Sequence, residues 1–142
     1  MEQLKKEDVG TRKDLCWYRI KTAEENLRSA KILLAANEYK SANNRAYYAV
    51  FHAVNAVHAL NGKAFKRHKD AIGNFNKDYV KKEIFPREIG RRIGEAEEIR
   101  HASDYDDFYI ASRVESERQV ETAEDFIQLV KKYCLEQIER TV

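Results

Sequence analysis

Proline occurs once and glycine five times in these 142 residues, and neither occurs between Gly10 and Gly62. Both residues punctuate turns, so an interval that long without them excludes a strand-and-turn architecture and calls for helices. Cysteine is scarce as well. Cys16 and Cys134 stand 118 positions apart, with no Cys-x-x-Cys spacing for a metal or redox site, and a reduced, cytoplasmic chain is the expectation. Long apolar runs are missing: "AYYAVFHAVNAVHAL" is interrupted by His52, Asn55 and His58, so no membrane span is expected. The first ten residues, "MEQLKKEDVG", are charged where a signal peptide would be apolar. Also lacking are a Gly-rich phosphate loop, a His-Glu-x-x-His helix, a Gly-x-Ser-x-Gly elbow and any metal-type clustering of Cys and His. Neither a metal nor an organic cofactor is expected.

Hydrophobic residues make up 43% of the chain and charged residues 35%, a balance and length that fit one soluble domain with its own core. The net charge of +2 is too small to announce a nucleic-acid partner, but the charge is unevenly spread. Residues 63–82 hold seven Lys/Arg against two Asp, and residues 95–107 hold six Asp/Glu against one Arg. The basic segment, with Lys66, Arg67 and His68 near its start, could follow a phosphate backbone or an acidic partner; a solvated helix face is the plainer explanation.

Apolar spacing predicts five helices. The first runs from about Lys13 to Ala36, with Cys16/Trp17, Ile20, Ala23, Leu27, Ala30 and Leu34 recurring at three and four positions and Asn37 as terminator. The second, from about Tyr39 to Leu60, carries an alanine-rich face that allows close helix contact and ends at Asn61–Gly62, where a left-handed cap belongs. A third spans about Lys66 to Lys81 on Ile72, Phe75 and Tyr79. The fourth opens at Pro86 and reaches about Ser103. The last starts at Ser112 in a Ser-x-x-Glu capping box with Glu115 and extends to about Glu139. Residues 1–12 read as an N-terminal tail and 13–142 as one helical domain, without repeat, low-complexity tract or linker. The predicted class is all-α, five helices in one bundle.

Two constellations carry chemistry. Arg45, Tyr48, His52 and Asn55 recur at three, four and three residues and share one stripe of the second helix. Such a row is either a binding surface or a buried hydrogen-bond network. In the fourth helix Arg100 and Asp104 are four apart; on a surface they form a weak pair, and in a cleft Arg100 becomes a planar anion receptor oriented by Asp104. His68 and His101 are isolated in spacing from any obvious partner. Asp104, Asp106 and Asp107 lack the spacing and central glycine of a calcium loop.

The runs "NNRAYYAVFHAVNAVHALNGKAFKRHKDAIGNF" and "EIRHASDYDDFY" carry an Arg-Ala-Tyr-Tyr-x-x-Phe-His motif at residues 45–52 and an Arg-x-x-x-Asp-Tyr-Asp motif at residues 100–106. On these the chain resembles the HEPN superfamily (higher eukaryotes and prokaryotes nucleotide-binding), in particular its UPF0332 branch, from about Leu15 to Tyr133. The resemblance implies an up-and-down bundle that usually dimerises, with a cleft near the dimer axis. It also implies a toxin–antitoxin setting in which a minimal nucleotidyltransferase neutralises the HEPN protein. Active relatives are metal-independent ribonucleases whose signature is an Arg and a His with four to six residues between them. The Arg holds the scissile phosphate and the His assists attack by the ribose 2′-hydroxyl.

This sequence departs from that pattern. Positions 105, 106 and 107, where the histidine belongs, hold Tyr105, Asp106 and Asp107, and His101 lies about a quarter-turn around the helix from Arg100. Carboxyl and phenol pKa values of about 4 and about 10 are poorly matched to proton transfer at neutral pH. His52 could replace the missing group if the second and fourth helices pack together. The candidate catalytic set is therefore Arg100, Asp104, His52 and Tyr105, and the candidate nucleotide- or RNA-binding set is Arg45, Tyr48, Asn55, Lys66, Arg67 and His68. Three readings stand: a module binding a nucleotide, RNA or a nucleotidyltransferase, a ribonuclease, and a scaffold whose polar row only stabilises the bundle.

Overall fold

The computed structural model describes residues 6–141. Five helices account for nearly all of them: α1 (Lys6–Ala35), α2 (Tyr39–Leu60), α3 (His68–Phe75), α4 (Arg87–Tyr105) and α5 (Arg113–Thr141). No strand occurs among the described residues, which form one domain. Of the expected N-terminal tail, residues 1–5 lie outside the described residues, and from Lys6 onward the chain is helical. A lone Gly10 costs about 1 kcal/mol in a helix, which stops it only with help from a proline or a cap.

Two of the helix ends named by the sequence close in the same way. Asn37 takes φ +63° while the Glu38 N–H donates to the Leu33 carbonyl at 2.9 Å and the Asn37 N–H to Leu34 at 3.0 Å. Gly62 repeats this at φ +73°, with Lys63 donating to His58 at 2.8 Å and Gly62 to Ala59 at 3.0 Å. These are Schellman ends, which need a residue that tolerates the left-handed region. At the opposite terminus of α5, the Ser112 hydroxyl accepts the Glu115 N–H at 3.1 Å, the first half of the capping box.

The third element departs from the predicted uniform helix. After Phe75 the backbone widens into a π turn over Asn76–Val80, in which the Lys81 N–H donates to the Asn76 carbonyl at 2.9 Å. The wider turn buries Tyr79 and Val80 together, although they are adjacent in sequence.

Cross-helix pairs give the directions. Lys31–Glu124 and Glu24–Lys131 run α1 against α5, and Arg92–Asp125 and Glu95–Arg118 run α4 against α5. Ser116 with Asn43 at one end and Tyr133 with Asn61 at the other lay α2 alongside α5 in the same direction. The short connection between α1 and α2 turns the chain back on itself. The long helices α1, α2, α4 and α5 thus alternate up and down, with α3 crossing from α2 to α4.

Helix α2 is the centre, touching all four of the others. Ala46, Ala49, Ala53 and Ala56 are buried beside Val50, Val54 and Val57, and the small side chains let neighbouring helices approach. Phe75 stacks on Tyr79 and takes Phe85 and Phe126 edge-on, and together they form an aromatic floor. Cys16 and Cys134 meet in the core between α1 and α5, both as free thiols, with their sulfurs 3.2 Å apart.

Candidate functional site

The α2–α4 contact places Tyr47 and Tyr48 under Arg100. Arg100 Nε lies 3.2 Å from Asp104 Oδ2, one turn further along the same helix, and Nη2 lies 3.4 Å from the Tyr48 hydroxyl. Its guanidinium stands 5.0 Å from the Tyr47 ring centre and 5.7 Å from that of Tyr48, within cation–π reach of both. An ion pair, a hydrogen bond and two ring faces therefore orient one partly exposed guanidinium. Burial opposes its charge, but Tyr48, Tyr47 and Asp104 together hold it above the ordinary arginine range.

His68 enters from the first residue of α3. Its Nδ1 is 3.1 Å from the Tyr47 hydroxyl, and its ring stacks on Phe51 with centres 3.8 Å apart and planes 21° from parallel. Burial, and then the Arg100 charge, push its pKa below the ordinary histidine value, so the ring is neutral at neutral pH. Tyr47 is buried, and burial raises its phenol to about 12. Tyr47, His68 and Lys69 face Glu97, Arg100 and His101 across an open cleft of about 770 Å³. Burial also raises the Glu97 carboxyl, while Arg100 works against that rise.

The other predicted residues fall around this cleft unequally. Arg45 lies 5.2 Å from the Tyr48 ring centre, and its guanidinium donates to Asn26 at 3.3 Å and Asn44 at 2.8 Å, so Tyr48 lies within reach of two cations. His52 is one turn beyond Tyr48, with ring centres 6.5 Å apart, and does not line the cleft. Burial, then Arg19, His68 and Arg45, lower its pKa. Asn55 borders a separate small hollow with Arg19 and Lys63. Lys66 and Arg67 are exposed in the strip leading into α3. Tyr105 turns outward, its ring 4.8 Å from that of His101.

Helix α4 ends inside "EIRHASDYDDFY", and its acids take separate duties. Asp104 pairs with Arg100, and Asp106 accepts the Phe108 N–H at 3.0 Å to close the following turn. Among the described residues no group of His, Cys, Asp and Glu is arranged to hold a metal ion. Tyr47 was not singled out by the sequence, because it falls about 100° off the Arg45–Tyr48–His52–Asn55 row; the Tyr-Tyr doublet was the available signal. His68 stood in the basic segment, and only the fold reveals Arg100 and Tyr47 as its neighbours.

The chain that folds into this bundle is matched by the family model of the HEPN domain over residues 16–133. The chain belongs to that family. It is 30% identical over 115 residues to a "UPF0332 protein" of Thermotoga maritima, covering 81% of this chain and 87% of the relative. A "putative toxin" of Methanocaldococcus jannaschii is 34% identical over 113 residues, covering 80% of this chain and 84% of the relative. The crystal structure of TT1696 from Thermus thermophilus shares the fold, with a TM-score of 0.69 at 20% identity, over 82% of this chain and 96% of that one.

Proposed function

We propose that this HEPN protein belongs to a toxin–antitoxin pair and that its Arg100 cleft binds phosphate groups of RNA. The observation that carries the reading is the Arg100 guanidinium, oriented by Asp104 and Tyr48 at the wall of an open cleft. A planar fork held in this way takes two phosphate oxygens at once. Exposed Lys66 and Arg67, with Lys69 in the cleft wall, extend the positive surface toward neighbouring phosphates. Relatives described as toxins support the pairing, and a minimal nucleotidyltransferase is the partner expected to occlude the cleft. A second copy of the chain is the expected dimer partner.

The alternative is metal-independent cleavage of the bound RNA. It is favoured by one observation: His68, rather than His52, shares the cleft with Arg100. Incubating a mixed RNA pool with the protein and a chelator separates the two readings. Binding predicts RNA that is retarded on a native gel and recovered intact, with retardation lost in Arg100→Ala. Fragments that disappear in His68→Gln would establish the ribonuclease instead, and RNA neither retarded nor cut would refute both.

A further inference from the structure

We propose that Tyr47 is a positioning residue that fixes His68 as a hydrogen-bond donor, with the ring proton on Nε2, so that His68 and Arg100 form one phosphate receptor. This rests on the phosphate-binding reading of the cleft and adds to it the role of the histidine.

The geometry leaves the phenol and the imidazole one shared hydrogen bond. Tyr47 Oη is 3.1 Å from His68 Nδ1, and no other hydrogen bond of either group is found among the described residues. In a neutral imidazole one nitrogen donates and the other accepts. A phenol is a good donor and a poor acceptor, because its oxygen lone pair is delocalised into the ring, whereas the bare imidazole nitrogen is a strong acceptor. The phenol proton therefore points at Nδ1, and the ring proton resides on Nε2. The Arg100 cation, 5.0 Å from the Tyr47 ring centre, withdraws density from the phenol and strengthens it as a donor. Phe51, stacked at 3.8 Å, fixes the plane of the imidazole, and flipping the ring would put a carbon where Nδ1 now meets the hydroxyl.

The consequence separates binding from chemistry. With hydrogen on Nε2, a neutral His68 has no lone pair on that atom with which to take a 2′-hydroxyl proton. A neutral imidazole is also a very weak acid. It can, however, donate one hydrogen bond to a phosphate oxygen while Arg100 supplies the charge. The tyrosine thus makes the histidine a ligand group for phosphate.

Nitrogen-15 spectra of the full-length chain at pH ~7.5 test this, a pH above the ordinary histidine value near 6.5. The His68 signals are assigned by their loss in His68→Gln. The expected pattern is an unprotonated Nδ1 and a protonated Nε2, relaxing toward a mixture of tautomers in Tyr47→Phe. That variant, folded by circular dichroism, should bind a short single-stranded RNA roughly 2- to 10-fold more weakly. Hydrogen on Nδ1 in the natural chain, or a pattern unchanged in Tyr47→Phe, would overturn the proposal. Because the spectra need no ligand, they stand apart from the RNA reading: full RNA affinity in Arg100→Ala would refute phosphate binding and leave the tautomer result intact.

Discussion

Arg100 of α4 and Tyr48 of α2, 52 positions apart, meet with the guanidinium Nη2 3.4 Å from the phenolic oxygen. At that length the hydrogen bond is a weak restraint, and the ring faces of Tyr47 and Tyr48 share the work of holding the guanidinium. Tyr48→Phe, which keeps the ring and loses the hydroxyl, should weaken RNA binding by no more than about 1 kcal/mol. Tyr48→Ala should cost more, since it also removes the face shared with Arg45. Binding isotherms of the two variants check the order.

Acid should destabilise the fold through its histidines. His52, His58 and His68 all have pKa values lowered chiefly by burial. The unfolded chain then binds more protons than the folded one, so stability is fully present above the unfolded value of about 6.5 and is lost as pH falls through the lower folded values. Urea midpoints should drop between pH 7.5 and pH 5. His58 is the most buried of the three, its Nε2 2.8 Å from the Ala71 carbonyl. A midpoint that does not fall over this window would contradict the buried, neutral assignment.

The aromatic floor should be the most sensitive part of the core. Phe126 is fully buried against Phe75 and Phe85. Phe126→Ala should cost about 3–5 kcal/mol by denaturant unfolding, because the neighbouring rings cannot collapse into the space.

Cys16 and Cys134 are shielded in the core. Neither should react with a bulky thiol reagent in the folded protein, and both should react in denaturant. Modification of one thiol before unfolding would place α1 or α5 differently.

The helices were largely legible because their signals are local. Helix α2 spans Tyr39–Leu60 as its periodicity predicts, since Asn37 and Gly62 each supply the left-handed residue that separates it from its neighbours. The π turn after Phe75 was not legible: Ile72, Phe75 and Tyr79 repeat at three and four positions, the same spacing an α-helix gives. In the site, Arg100 and Asp104 could be paired from their spacing on one helix. The histidine could not. Spacing drew attention to His52 beside Tyr48, whereas the imidazole that faces Arg100 across the cleft arrives from α3, through contacts with Tyr47 and Phe51 that no periodicity encodes.

The central claim is that Arg100 receives RNA phosphate, and the affinity of a short fluorescent single-stranded RNA for the natural protein, Arg100→Lys and Arg100→Ala, at two salt concentrations, tests it most directly. Losing a charged, hydrogen-bonding guanidinium should weaken binding roughly 10- to 100-fold in Arg100→Ala, with a shallower salt dependence. Arg100→Lys should recover only part of it, since a point charge lacks the planar fork. Equal affinities and equal salt slopes for all three proteins would contradict the account.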